Sequence, residues 1–419
     1  MKKTTTFLVL SLVLLSSSVF AQKVRSEVVE YQYVRLPLNP IDKSIKNYQA
    51  SIFATYEEDN SQKKAAYEAD KKKAEDEFQK DKADHPGKVK AAEDKYKVEM
   101  DEYKKKSVGE KIIEKKVLGE DNKPVKQIPS EPYLRHVPMP VLKTSYNYPA
   151  VSSTYLNIGG LENKTGNEVK YLVTIYGYDY TQPMQMTTQK NITSVVNGQS
   201  TTRPVTYYYL EFSYRHTMSF TVTLPDGKML MNETPQELNN YTVYKTQETE
   251  AYQSVNTDML IKSTEEKIFQ QNLTFINNLV NERIGFQPVK RNTKIFYIKE
   301  KGETYQDLLA AYNDATSGMK LLSSNPSEGK AKIENAVKLW DAALVESKPE
   351  DKKARIDRDV TIMICFDLLE SFFALRLPEK AEGIINRLNI LKLNYEDKKV
   401  KEEYEALFLD LKKRIAANP

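Results

Sequence analysis

Residues 207–224 read YYYLEFSYRHTMSFTVTL, and their alternation decides the fold. The even positions are Tyr208, Leu210, Phe212, Tyr214, His216, Met218, Phe220, Val222 and Leu224. The odd positions are Tyr207, Tyr209, Glu211, Ser213, Arg215, Thr217, Ser219, Thr221 and Thr223. A strict period of two marks a strand with one face buried. At about 3.3 Å per residue the stretch is too long for an ordinary strand, so a bend, a bulge or a division into two strands is expected. The fold class that follows is α+β. An antiparallel β-rich domain carries an inserted helical hairpin and is followed by an all-α, repeat-like C-terminal domain.

Neighbouring segments extend the sheet. Val169–Tyr180 (VKYLVTIYGYDY) reads as a strand preceded by a turn at Lys164–Asn167. The polar stretch Gln182–Pro204 holds the hairpin-type dipeptide Asn197-Gly198. Pro225-Asp226-Gly227 turns the chain into Lys228–Asn232, closing a second hairpin. Ser153–Ile158, Tyr241–Tyr244 and Lys294–Ile298 are shorter strand candidates. Near the N-terminus a strand from Ser26 ends at Pro37 and Pro40, where a missing ladder donor does least harm, and Ser51–Tyr56 is a second strand. Between Asn256 and Arg283 the period becomes helical, through Leu260, Ile261, Ile268, Phe269, Leu273, Ile276 and Leu279, with Gly285 placed as a C-cap.

Glu57–Ser107 is rich in Lys, Glu, Asp and Ala, and His85-Pro86-Gly87 divides it. Helical arms over 58–83 and 88–107 are expected to form an antiparallel hairpin. The seam would use Tyr67, Ala74 and Phe78 in the first arm and Val89, Ala92, Tyr96 and Tyr103 in the second. Such a thin seam of small residues needs a partner, a domain surface or i,i+4 ion pairs for support. A polar linker with a turn at Gly119–Pro124 follows. Tyr133–Val141 then echoes Tyr33–Ile41 in its Tyr, Arg and two prolines, which suggests either a duplicated β unit or convergent use of proline at edge strands.

From Thr304 to Ala417 the chain is helical, with helices expected at 304–323, 328–346, 351–375, 378–391 and 396–416. Ala336, Leu339, Trp340 and Ala343 form one stripe; Ile362, Cys365, Phe366, Leu369, Phe372 and Phe373 form another. LPEKAEGIINRLNIL, with Ala381 small, resembles the first helix of a tetratricopeptide-type hairpin, and SEGKAKIENAVKLWDAAL is similar, with Ala336 or Ala343 small. The resemblance implies stacked helical pairs with a concave, partner-binding surface; a plain helical bundle is the alternative. The expected divisions are 1–21, a β-rich α+β domain over 22–56 and 108–300, the helical insertion 57–107, and the helical domain 301–419.

The first 21 residues read as a targeting segment. Lys2 and Lys3 precede the apolar Phe7–Leu15, and Val19-Phe20-Ala21 offers a small-residue cleavage site that would leave Gln22 first. With no cysteine near that site, a lipid-anchored form is not expected. The destination is periplasmic or extracellular, at the cell surface. Net charge is +4, and loss of Lys2 and Lys3 lowers it to +2. That near-neutral balance leaves no electrostatic footprint for nucleic acid. No later stretch is apolar enough for an integral membrane segment. Cys365 stands alone, so no intrachain disulfide forms and stability must come from burial.

Composition supplies little chemistry. His85, His136 and His216 are scattered, and no metal-ligand spacing occurs. His216 falls on the apolar phase and reads as a satisfied core histidine. Cys365 sits in an apolar stripe and reads as a buried thiol rather than a nucleophile. Asp179, Glu211 and Asp226 are the acids nearest the β core, and Gly159-Gly160 alone is no phosphate loop. There are 27 tyrosines against one tryptophan. Tyr176, Tyr178 and Tyr180 share one phase of their strand, and Tyr207 and Tyr209 share another, so adjoining faces would make an aromatic platform for sugar or peptide. The leading expectation is a non-enzymatic cell-envelope scaffold or adaptor that binds other envelope proteins, without cofactors. The alternatives are a carbohydrate-binding module that takes glycan on the tyrosine strands, or a hydrolase with an unrecognised acid pair.

Overall fold

The computed structural model describes residues 24–116, 123–196, 198–252, 254–298 and 303–419. The targeting segment, most of the Gly119–Pro124 turn and Asn197 lie outside the described residues. The alternating stretch belongs to a single strand of 25 residues, β6 (Gln199–Thr223). Two strands lie end to end along one of its edges. β4 (Glu168–Tyr180) pairs with its second half and β5 (Met184–Val196) with its first half, both antiparallel. The expected irregularity falls on the pairing rather than dividing β6: the register slips between Ile175 and Gly177, and again at Val222/Thr223 against β7 (Met229–Glu233). β8 (Thr242–Lys245) takes the other edge at Glu211–Tyr214. The helical turn α4 (Gln236–Asn239) lies between β7 and β8.

The sheet is mixed rather than antiparallel throughout. β2 (Asn47–Ala54) runs parallel to β4 and to β3 (Glu162–Asn163). Parallel neighbours need a long connection, and the helical insertion after β2 supplies it. On the buried face Phe212, His216, Met218, Phe220 and Val222 of β6 join Val169, Tyr171, Val173 and Ile175 of β4. The helix α5 (Thr257–Ile284) lays Phe269, Leu273, Ile276 and Val280 over them, and Gly285 caps it as expected.

Ser153–Ile158 is not a strand. Tyr148–Tyr155 forms a helix, α3, in which the Asn147 side chain accepts from the Ala150 N–H and Pro149 occupies the first turn. Those start signals outweigh the short alternation. The following Gly159-Gly160 pair serves packing. A Cβ on Gly159 would lie 2.6 Å from the Phe286 carbonyl oxygen, and the Gly159 N–H donates to Asn281 Oδ1 at 2.7 Å.

A second core gathers the C-terminal helices around a ribbon. β1 (Val24–Arg35) pairs antiparallel with β9 (Gln287–Ile298) along its whole length. Val29, Tyr31, Ile295 and Ile298 pack with Leu308, Trp340, Phe366 and Leu369. Both strands therefore belong to the helical core, not to the β-rich domain in which the sequence reading placed them. The helices are α6 (Gln306–Leu321), α7 (Pro326–Val345), α8 (Arg358–Leu375), α9 (Pro378–Ile390) and α10 (Tyr395–Ala417). They match the expected spans except that α8 starts later, where Asp357 caps the Val360 N–H. Every residue from Val360 to Phe373 is buried, which makes α8 the centre of this core.

The insertion departs most from expectation. Glu57–Lys105 is one helix of 49 residues, α1, that runs straight through Pro86. No hairpin breaks it at His85-Pro86-Gly87. At about 1.5 Å per residue it reaches roughly 70 Å. A short helix α2 (Val108–Lys116) follows, and residues 123–147 then return along α1 as an extended strap. Lys126 pairs with Glu93 at 2.9 Å and Arg135 with Asp70 at 2.7 Å. At the base, Asn60 exchanges hydrogen bonds with the Lys143 backbone at 2.9 and 3.1 Å. The seam read from the sequence exists, but an extended chain covers it instead of a second helix. The Tyr33/Tyr133 echo dissolves too. Tyr33 sits in the β1–β9 ladder and Tyr133 in the unladdered strap, while Asn47 opens β2 and Asn147 caps α3.

Candidate functional site

The five tyrosines proposed as a platform do not form one. Tyr176 is the extra residue of the β4 bulge, followed by Gly177 at φ +106°. An L side chain resists that backbone angle, so glycine lets the chain flip phase there. Before the bulge the odd residues of β4 face the core; after it the even ones do. Tyr178 and Tyr180 thus lie opposite His216 and Tyr214 on the covered face. Tyr176 points the other way, its hydroxyl 3.2 Å from Ser219 Oγ. Tyr178 is buried beneath Ile261 of α5 and stacks at 5.8 Å on Tyr214. Burial lifts its hydroxyl pKa well above the ordinary value. Tyr180 is half-exposed at the margin of this cluster.

Tyr207 and Tyr209 share the open face with Tyr176 but lie far along β6, roughly 28–35 Å away at about 3.3 Å per residue. Each is already engaged. Lys190 stands over the Tyr207 ring at 5.4 Å and the Tyr207 hydroxyl donates to Glu250 at 3.0 Å. Lys245 stands over the Tyr209 ring at 5.4 Å.

The acids nearest the sheet are likewise occupied and separate. Asp179 pairs with Arg215 at 2.7 Å, Glu211 pairs with Lys245 at 3.1 Å, and Asp226 accepts the Lys228 N–H at 2.9 Å inside its turn. His216 is buried as expected, at 2% exposure, though its Nδ1 has no partner. Burial pulls its pKa down to about 4. Burial also pushes the Cys365 thiol up to about 12, which suits an inert core position. Among the described residues, no group of three or more His, Cys, Asp or Glu side chains converges as a metal site.

The most concentrated polar constellation lies in the second core and went unread in the sequence. Glu370 of α8 is fully buried and accepts from both Nε and Nη2 of Arg291, each at 2.7 Å, from Thr293 Oγ1 at 2.9 Å and from the Tyr404 hydroxyl at 2.8 Å. The Tyr31 hydroxyl donates to it as well. Burial alone would raise its pKa; the Arg291 hydrogen bonds and charge reverse that and hold it below the ordinary value. One turn earlier Asp367 Oδ1 accepts the Phe296 N–H at 2.9 Å, while its Oδ2 has no partner and burial drives its pKa up. The network joins β1, β9, α8 and α10, and a cavity of about 350 Å³ beside it is lined by Asn292, Lys294, Phe296, Phe366, Glu403 and Tyr404. Every oxygen of Glu370 is consumed by the fold, so this is a structural knot. Two acids three apart inside an apolar helical run were the available signal.

An exposed apolar row lies on the arm. Only Asn60 and Ala74 of α1 are buried. The strap turns apolar residues outward: Tyr133 is 84% exposed, Met139 79% and Val141 88%. Between helix and strap a cleft of about 430 Å³ is lined by Phe78, Asp81, His85, Lys88, Pro132 and Tyr133. No family model, no curated protein and no solved structure matches this chain.

Proposed function

We propose that this chain is a non-enzymatic scaffold or adaptor of the bacterial cell envelope that binds other proteins through its arm. The observation that carries the reading is the arm itself. A single helix of 49 residues with two buried positions cannot be explained by core packing. Its strap adds a row of outward Val125, Ile128, Tyr133, Leu134, Met139 and Val141, the kind of exposed apolar surface that marks an interaction site. The N-terminal targeting pattern supports an extracytoplasmic destination. The C-terminal helices, with their tetratricopeptide-like small positions, would offer a second contact surface.

The test is crosslinking and affinity capture from envelope extracts, with the mature chain compared against Tyr133→Ser/Met139→Ser/Val141→Ser. These positions are largely solvent-exposed, so the fold is expected to survive. Loss of specific partners supports the reading; an unchanged partner set sinks the arm's role. Deleting residues 304–419 would be a poor test, since it strips β1 and β9 of their core. Mass analysis of the exported protein should find Gln22 at its N-terminus, and retention of residues 1–21 would remove the localisation part.

A further inference from the structure

Beyond Tyr208, where Thr249 bridges the other edge of β6, β5 and the start of β6 form a ribbon of two strands only, paired from Thr188/Tyr207 to Val196/Gln199. None of the described residues in 184–206 belongs to a hydrophobic core. An isolated two-stranded ribbon is marginal in water. Hydroxyl contacts such as Thr193–Thr202 at 2.9 Å and Ser194–Thr201 at 3.2 Å are small compensation.

The two edges of this ribbon differ. The Tyr208 N–H donates to the Thr249 carbonyl at 2.8 Å and the Leu210 N–H to Thr246 Oγ1 at 2.9 Å, both away from β5. By alternation, Tyr207, Tyr209 and Glu211 exchange backbone hydrogen bonds with Thr188, Met186 and Met184. Two consequences follow. On β6 the even residues point outward, and one of them is Pro204, whose missing donor blunts that edge. On β5 the outward groups are those of Gln185, Thr187, Gln189, Asn191, Thr193 and Val195. This edge has no proline, and its only charge, Lys190, pairs with Glu248 at 2.5 Å. It is long, β-branched, nearly neutral and unguarded, which is the description of a strand that accepts another strand.

We infer that the occupant is β5 of a second copy of this chain, added antiparallel across a two-fold axis to give a four-stranded ribbon. Self-pairing along this edge opposes like charges in one register only, the one centred on Lys190. Centred on Asn191, the pairing sets Gln189 against Thr193, Thr187 against Val195 and Lys190 against Ile192 of the second copy, with no like charges directly opposed. Centred on Lys190, it would set that lysine against itself. The edge offers no charge to recruit a charged foreign strand, and self-pairing requires none.

Sedimentation of the purified mature chain at tens of micromolar should give a dimer. Gln189→Pro removes an outward donor without breaking the β5–β6 ladder, and should give a monomer that still melts cooperatively, at a midpoint no longer dependent on concentration. Asn191→Cys, in a chain whose native Cys365 is buried, should form a covalent dimer on mild oxidation, whereas Gln185→Cys should not. A monomeric mature chain overturns the inference, as does a dimer that survives Gln189→Pro or a crosslink that forms equally from position 185. A monomer that still captures partners through the arm would sink this inference and leave the adaptor reading standing; a dimer with an inert arm would do the reverse.

Discussion

His216 is the residue at which burial is most easily read as a pH effect. It lies between Phe269 and Tyr178, with ring centroids 5.8 and 5.6 Å away, and no carboxylate bonds it. Its pKa falls from 6.5 to about 4 because burial penalises the cation. The unfolded chain therefore binds this proton at higher pH than the native one does. Stability is unaffected above the unfolded pKa and is lost progressively as pH falls from about 6.5 toward 4, by up to about 3 kcal/mol. Urea midpoints across that range should show the decline, and His216→Phe should flatten it; an equal slope in both proteins would refute the assignment. Glu370 shows the opposite case, a charge kept by its partners. Glu370→Gln leaves Arg291 part-buried without its anion and should cost about 3–5 kcal/mol, read as a lower urea midpoint. Glu370→Leu combined with Arg291→Met should recover only part of that loss, because both charges leave together but the Tyr31, Thr293 and Tyr404 hydroxyls lose their acceptor.

At the scale of elements, α1 rests on its strap and on solvated ion pairs such as Lys63–Asp59 at 2.7 Å. Pro86 removes one intrahelical bond and costs about 3 kcal/mol in a helix interior. Pro86→Ala should therefore raise amide protection across residues 80–92, while the global unfolding midpoint, set by the two cores, stays put. A shift of that midpoint instead would mean that the arm is part of the cooperative unit. The same helix shows what the sequence could and could not disclose. The seam through Tyr67, Ala74, Phe78, Ala92 and Tyr96 was legible because helical spacing is local. Its break at Pro86 was misread because strong helix formers on both sides outweigh one lost bond, and its partner was invisible because the strap has no periodicity. β6 was legible from its alternation, but the tyrosine platform was not. One inserted residue at Tyr176 reverses every later side chain of β4, and no pattern in the sequence announces it. The Glu370 knot was missed for a further reason: its partners come from segments far apart in the chain, Tyr31 and Arg291 set opposite each other by the β1–β9 pairing and Tyr404 brought in by α10.

At the scale of the whole molecule, the two cores are stitched where the chain crosses between them, and Arg414 is the stitch. Its side chain is 2% exposed. Nη1 donates to the Leu36 carbonyl at 2.7 Å and the Glu282 carbonyl at 3.2 Å; Nη2 reaches Glu282 Oε1 at 3.1 Å and Nε reaches Asp410 at 2.8 Å. Leu36 leaves β1 of the helical core, and Glu282 ends α5 of the sheet core. Around this arginine, the Leu38 and Asn39 N–H groups bond the carbonyls of Glu282 and Arg283 at 3.1 and 2.6 Å, and Asn418 reaches the Pro37 carbonyl at 2.8 Å. The contact is polar and narrow while each core is apolar and broad, so the coupling between cores is weaker than the cohesion within either. Arg414→Met keeps the apolar stem but takes the donor from the Leu36 carbonyl and leaves the Glu282 carbonyl to the Leu38 N–H and both carboxylates to Arg35, at 3.5 and 3.3 Å. Both acids retain some water contact, at 40% and 38% exposure, so the loss should be about 2–3 kcal/mol, below that of a fully buried pair. Calorimetry should then resolve one transition of the wild-type chain into two, with the sheet core and the helical core melting separately. If Arg414→Met melts in a single transition at a lower temperature, the coupling runs through the chain crossings themselves and the arginine contributes only its own bonds.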